Sequence, residues 1–364
     1  MEGNSGAVSQ ILGRLFKNKG AIFGLVVILA AIFIAVFAYF LAPDGSPDAN
    51  TMIPAIANKK PQFQMSFIKV KTSKRPVSTG FFMQLLNGKP DSYKYIPITT
   101  VNVQGDTYYV EEFIDEDVTQ EAFYNHDQLA PEPIVQRTFW LGTDKFGRDI
   151  LSRLILGTRV SLAVGLVAVL LSLTVGIFLG AVAGYFGGKT DNAIMWLINV
   201  VWSIPTLLLV FALTLALGKG FWQVFIAVGL SLWVSVARLV RGQIMAMKSL
   251  EYIEAAQVLG FSNSRIIIKH LLPNIIGPVM VIAASNFASA IIIEAGLSFL
   301  GLGVQPPMSS WGLMIKENYN FIITSNPALA LIPGIAIMLL VLAFNLLGNG
   351  LRDATDTSAI TTAG

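Results

Sequence analysis

Residues 21–42 read AIFGLVVILAAIFIAVFAYFLA, a run of 22 positions without a single charge. About 20 apolar residues in helical form cross the hydrocarbon of a bilayer, so the run is long enough to span. Arg14, Lys17 and Lys19 precede it as a basic flank that resembles a secretory leader, but the length of the run makes it a retained anchor. Hydrocarbon offers no water to backbone N–H and C=O groups, so a spanning segment must satisfy them internally. Continuous apolarity points to a helix, since barrel strands alternate apolar and polar residues.

Outward from this run the same signature recurs at about 160–186, 192–217, 220–237, 271–293 and 328–348, which predicts six membrane helices. The composition agrees, with 54% hydrophobic and 13% charged residues. The chain has no cysteine, which excludes disulfides and thiolate metal sites. A net charge of +3 gives no case for nucleic-acid binding. Six spans put both ends on one side of the membrane. The N-terminal flank, Lys189, and the loop holding Arg238, Arg241, Lys248, Arg265 and Lys269 all fall on one face, which the positive-inside rule makes cytoplasmic. The opposite short connection carries only Lys219, and the long 43–157 loop is exempt because long loops translocate whatever their charge. The fold class expected is an all-α polytopic membrane protein with an external inserted segment.

The insertion, 43–140, opens on Pro43, Asp44, Gly45, Ser46 and Pro47, which is turn and linker chemistry. Residues 65–71 (MSFIKVK) and 99–110 (TTVNVQGDTYYV) partly alternate apolar and polar positions, and Gln104-Gly105-Asp106 suits a hairpin turn, so a small β-containing domain is expected; a loosely ordered cover over a pore mouth is the plainer alternative. His126 has no Cys or carboxylate cluster to make it a metal ligand. Next, 141–157 has a start signal at Thr143 or Asp144 and apolar residues at Ile150, Leu151, Leu154 and Ile155. That one-sided spacing, with Asp149 and Arg153 four apart, predicts a separate amphipathic helix at the outer surface. The remaining divisions are the N-terminus and anchor at 1–42, a five-helix core at 158–349 and a cytoplasmic tail at 350–364.

The polar loop 238–273 interrupts two spans. Glu254, Ala255 and Ala256 lie in helix-forming sequence with side chains small enough to let another surface approach. Gly260 can take the left-handed conformation that stops a helix, and Ser262 or Asn263 can cap a second helix running from Arg265 to Leu271. Pro273 suits the first turn of the following span. Two short helices at an angle would make a knuckle able to fit a cleft and transmit a push; a solvated connector is the plain alternative. Glu294, at the external end of the fifth span, is either a pathway carboxylate or a structural one held by water or backbone N–H groups.

These residues also carry a resemblance. EAA at 254–256, three residues, Gly260, then Leu272-Pro273 after eleven more resembles the EAA loop of permease subunits of bacterial ABC importers. EYIEAAQVLG and KHLLPN, with His270, look like the dipeptide and oligopeptide (peptide/nickel) branch. LGTDKFGRDILSRLILGTRVSL at 141–162, EAGLSFLGLGVQPPMSSWG at 294–312 and PGIAIMLLVLAFNLLGNGLRDATD at 333–356 resemble the second permease of the pair. The resemblance implies a type I importer permease in the bacterial inner membrane with both termini cytoplasmic, working by alternating access. It implies that Glu254, Ala255, Ala256, Gly260, Arg265, His270, Leu272 and Pro273 couple it to a separate ATPase. Its implied partners are a homologous permease, two ATP- and Mg-using ATPase subunits, and an extracytoplasmic solute-binding protein. The chain itself has no GxxxxGK phosphate loop, so it is expected not to bind or hydrolyse ATP. As a transport subunit, which the resemblance implies, it is expected to be no enzyme and to bind no cofactor or metal. The departures are the long insertion and Asn349, which stands where the family often has Asp. Peptide is the cargo implied; nickel, sugar or export stay open. An ion-coupled secondary transporter would need polar relays in several spans or inverted repeats, and Glu294 is the lone candidate found. A membrane-anchored assembly protein acting through its external domain is the third reading.

Overall fold

The computed structural model describes residues 13–72, 80–218, 220–322 and 326–355; Lys219, the start of the chain and the end of the tail lie outside the described residues. In chain order the elements are α1 (Lys19–Val36), β1 (Phe63–Lys71), α2 (Phe81–Asn87), β2 (Tyr93–Gln104), β3 (Thr107–Asp115), β4 (Val118–Asn125), β5 (Leu129–Phe139) and α3 (Ile150–Phe186). There follow α4 (Gly188–Trp202), α5 (Thr206–Leu217), α6 (Phe221–Lys248) and α7 (Glu251–Val258). The last three are α8 (Asn263–Leu300), α9 (Trp311–Asn318) and α10 (Ala328–Thr355). The chain divides into two compact units, one of residues 1–31, 161–304 and 337–364, the other of residues 32–160 and 305–336.

Among the described residues five helices, α1, α3, α6, α8 and α10, are long and apolar enough to cross a membrane, and α4 with α5 makes a sixth if that bent pair counts as one span. The expected straight span over 192–217 is therefore broken, with a 92° bend between α4 and α5. Ser203, Ile204 and Pro205 sit at the break: Pro205 lacks an N–H, and its ring disfavours helix at the residue before it.

In the first unit α6 is central, with Val224, Ala227, Val228, Val236, Ala237, Val240 and Ile244 all fully buried. Gly176, Gly180 and Gly184 of α3 face α6, four residues apart. A Cβ on them would stand 2.5 Å from Val236 Cβ, 2.5 Å from the Ala237 carbonyl and 2.8 Å from the Arg241 carbonyl. Small residues at this spacing let two backbones touch, which is how helices gain packing energy in lipid, where no hydrophobic drive separates helix from tail. Arg241 closes the α4–α6 contact with two hydrogen bonds to Asp191, at 2.5 and 2.6 Å.

The second unit holds an antiparallel five-stranded sheet in the order β4-β3-β2-β1-β5. Its β2–β3 hairpin turns at Gly105 and Asp106, with Gln104 opposite Thr107 and Gly105 at φ +60°. Phe67 and Ile68 are neighbours on opposite faces and both fully buried, so both faces are covered. Phe67 packs with Ile53, Ile56 and Phe139, and Ile68 with Ile98, Val110 and Leu129. Each such burial contributes roughly 1.5–3 kcal/mol. β5 carries Pro131 and Pro133, which an edge strand tolerates because one side of it donates to no ladder.

The 141–157 segment differs from its expected form. It is no separate surface helix: α3 starts at Ile150 and continues without a break to Phe186. Asp149 caps it, accepting the Ser152 N–H at 2.8 Å, and does not pair with Arg153. Arg148 and Arg153 are each only 1% exposed, so this is not a solvated charged face.

Candidate functional site

The polar loop folds as two helices meeting at Gly260. α7 starts after Leu250 with Glu251 and Glu254 in its first turn, where carboxylates suit the positive end of the helix dipole. Ile253 and Ala256, three apart, form its inner stripe. They pack with Ile266, Leu271 and Ile275 of α8 against Tyr185, Val236, Val240 and Ile244. Gly260 has φ +76°, and the turn closes by Gly260 N–H to the Gln257 carbonyl (3.0 Å) and Phe261 N–H to the Ala256 carbonyl (3.1 Å). That pair of bonds is a Schellman motif, which needs a left-handed residue and hence favours Gly. Ser262 takes the N-cap position of α8 but makes no side-chain cap bond. The side chain of Asn263 instead accepts the Tyr185 hydroxyl at 2.9 Å.

Pro273 is not in the first turn of a span, because α8 is already helical from Asn263. Having no N–H to give, and a ring that clashes with the carbonyl four residues back, it sits in a 3-10 turn, Leu272–Ile275, preceded by a π turn at Ile267–Leu271. Ring stacking links Phe261 to His270, 6.0 Å centroid to centroid, and Arg265 lies 4.2 Å over the Phe261 ring. The His270 carbonyl accepts the Asn274 amide at 2.7 Å. Of the residues singled out in the sequence, Glu254, Ala255, Gly260, Arg265 and Pro273 are exposed, and His270 and Leu272 are half-buried. Ala256 is 5% exposed and faces inward, so its small side chain serves packing within the chain and only Ala255 is open to an approaching surface. Three outward residues were missed: Val258 at 88%, Leu259 at 73% and Ile268 at 62% exposure. Their signal was apolar side chains off the inward 253/256 stripe.

Glu294 lies inside α8 and is fully buried, so water does not reach it. It accepts the Ser298 hydroxyl at 2.7 Å, and that hydroxyl oxygen accepts the Val304 N–H at 3.0 Å. A Cβ on Gly303 would fall 2.0 Å from Ser298 Oγ, so this closure requires glycine. Glu294 thus anchors the turn that ends α8.

In the second unit a separate charged cluster is buried. Asp144 accepts the N–H groups of Phe146 (2.9 Å) and Arg148 (3.0 Å) and the Arg148 Nε (2.7 Å). Glu317 of α9 takes Arg148 at 2.7 Å and Arg153 at 3.2 Å. Ser309 and the Trp311 indole donate to the carbonyls of Arg153 and Leu154, at 2.9 and 3.0 Å. Burial pushes the Asp149 carboxyl up from its ordinary value, and hydrogen bonds from Ser152 oppose this. Among the described residues no group of three His, Cys, Asp or Glu could hold a metal ion.

Comparison with known proteins gives two family profiles. "Binding-protein-dependent transport system inner membrane component" matches residues 176–359 and "N-terminal TM domain of oligopeptide transport permease C" matches residues 8–61. The glutathione transport system permease protein GsiD of Pectobacterium atrosepticum is 42% identical over 236 residues, 65% of this chain and 77% of that protein. The dipeptide transport system permease protein DppC of Bacillus subtilis is 41% identical, over 63% of this chain and 75% of that one. The oligopeptide transport system permease protein OppC of Haemophilus influenzae is 40% identical, over 63% and 74%. Among solved structures, a chain of the MetNI methionine ABC transporter aligns with TM-score 0.47 and 19% identity over 56% of this chain and 96% of that one.

Proposed function

The chain belongs to the family of binding-protein-dependent transport system inner membrane components, and from that premise we propose that it is the membrane-spanning permease subunit of an ATP-driven importer of peptides. The relatives that support the cargo carry names of dipeptide, oligopeptide and glutathione transport, and glutathione is itself a tripeptide.

One observation carries the mechanism. The α7–α8 knuckle is sunk into the helices by Ile253, Ala256, Ile266 and Leu271 while it turns Val258, Leu259 and Ile268 outward. An apolar tip on a stiff mount is what a partner's cleft can grip and move, and a mount continuous with α8 passes that displacement into a span. In this reading Glu254, Ala255, Gly260, Arg265, His270, Leu272 and Pro273 form or shape the surface met by an ATPase, with Ala256 bracing it from within. ATP and Mg belong to two partner ATPase subunits, as this chain has no phosphate loop. A homologous permease completes the pore, an extracytoplasmic solute-binding protein delivers the cargo, and both termini are cytoplasmic. Glu294 holds the end of α8 in place and is not a pathway carboxylate.

The test is reconstitution with a second permease, ATPase subunits and a solute-binding protein from the same organism, and measurement of ATP-dependent uptake of labelled di- and tripeptides. Uptake that is lost with Glu254→Arg, while the permease still folds, is the expected result. Uptake that persists without any ATPase subunit would return the ion-coupled alternative.

A further inference from the structure

The sheet unit carries an open cavity of about 370 Å³ that the importer reading does not use. Its volume lies in the range of small-ligand sites, roughly 300–1,000 Å³. Lys69, Lys89 and Arg137 line it together with Tyr95, Asp44 and Asp91. The register puts three of these on one face of the sheet: Lys69 is directly opposite Tyr95, and Arg137 pairs with Met65, four residues before Lys69 on β1. The Arg137 guanidinium lies 3.5 Å over the Tyr95 ring. Stacking fixes the plane of the guanidinium and leaves its in-plane N–H groups directed away from the ring, the arrangement suited to a bidentate carboxylate.

The two acids of the cavity are already engaged. Asp44 accepts the Ser46 N–H (3.1 Å), the Thr51 N–H (3.2 Å) and the Thr51 hydroxyl (3.1 Å), and Asp91 accepts the Tyr93 N–H (3.2 Å). Among the described residues the ion pairs formed involve none of Lys69, Lys89 and Arg137. Lys89 is held in position through its backbone, whose N–H donates to the Gly45 carbonyl at 2.9 Å. Three cations thus line one cavity beside two carboxylates, so the lining is net positive, and the carboxylates are held by neutral donors and not by these cations. We infer that this cavity is an accessory site that takes a short peptide by its C-terminal carboxylate, with Arg137 gripping the carboxylate and Lys69 and Lys89 supplying the surrounding positive field. The choice of peptide among carboxylate ligands rests on the importer reading; the anion chemistry does not.

The experiment uses the full chain in detergent and measures binding of trialanine, trialanine amide and inorganic phosphate by calorimetry. Trialanine should bind, and amidation should weaken it about tenfold or more, the effect of losing a charge-assisted hydrogen bond. Arg137→Met should weaken trialanine similarly with an unchanged melting temperature. If that variant unfolds, Lys89→Met on its exposed side chain carries the test and should weaken binding by severalfold. Equal binding of the acid and the amide, or full affinity in both variants, overturns the site. Phosphate binding tighter than trialanine makes it an inorganic-anion site and overturns the peptide assignment. Peptide uptake in the reconstituted complex is read separately: binding without ATP-driven uptake sinks the importer reading and leaves the cavity, whereas uptake without binding does the reverse.

Discussion

Substitution of Gly260 tests the knuckle most sharply, because its environment separates backbone strain from crowding. A Cβ added there meets nothing within 4 Å, so any penalty comes from its φ of +76° alone. An L-residue held left-handed costs roughly 1–2 kcal/mol, so Gly260→Ala should shift the balance between bent and unbent knuckle by about five- to thirtyfold. Asn tolerates this region better, and Gly260→Asn should fall between Gly and Ala. Proline is confined near φ −65° and removes the Gly260 N–H from the Gln257 carbonyl, which together cost about 3 kcal/mol or more. The assay is co-purification of the ATPase subunit with the tagged permease, run beside the permease's thermal melt. The order expected is Gly, Asn, Ala, Pro in falling ATPase yield, with the melt of the spans little changed. A Pro variant that recovers ATPase at normal yield refutes the reasoning, and so does an Ala variant as defective as Pro.

Removing Glu317 by Glu317→Ala leaves Arg148 and Arg153 buried without their shared carboxylate, a loss of about 3–5 kcal/mol; Glu317→Gln, which keeps an acceptor, should cost less, and thermal unfolding in detergent ranks the two. Gly180→Leu must push α3 off the Ala237 carbonyl and should cut the yield of folded protein, whereas Gly242→Ala on α6, with open space around it, should be neutral or stabilising by up to about 1 kcal/mol. Burial pushes the Tyr95 phenol up to about 12, opposed by Arg137. Because the folded value is the raised one, its contribution to stability is intact below about pH 10 and is lost as pH rises toward 12, so in an alkaline absorbance titration Tyr95→Phe should remove one late-ionising phenol and leave that of Tyr124, which burial also pushes up.

The spans could be read from the sequence because apolarity in lipid is a one-dimensional signal, and Gly260 could be read because only its residue type suits a left-handed stop. Helix starts were harder to place. α3 begins at Ile150 and not near 160 because Asp149 caps it there and the Arg153 in its first turn meets Glu317, a partner 164 residues away that no local window contains. The same distance turned a buried cluster into an apparent surface helix. Within the insertion, β1 and the β2–β3 hairpin showed alternation and a glycine turn, but β4 is mostly exposed and β5 holds two prolines, so neither carried the pattern of a strand. In the knuckle, the inward direction of Ala256 followed from its partnership with Ile253, Ile266 and Leu271, which only tertiary packing reveals.

The separation between Arg148 and Glu317 also bears on how the protein is made. Synthesis at about 5–20 residues per second puts roughly ten to thirty seconds between the emergence of the arginines and that of the carboxylate they share. During that interval two guanidinium groups at the head of α3 have no Glu317 to meet, and sheltering them falls to Asp144, which leaves the ribosome with them, and to water or the insertion machinery. The last third of the chain therefore completes a structure begun by the first half. A truncation that ends before α9 should strand those cations and draw quality-control proteolysis to an otherwise well-inserted α3.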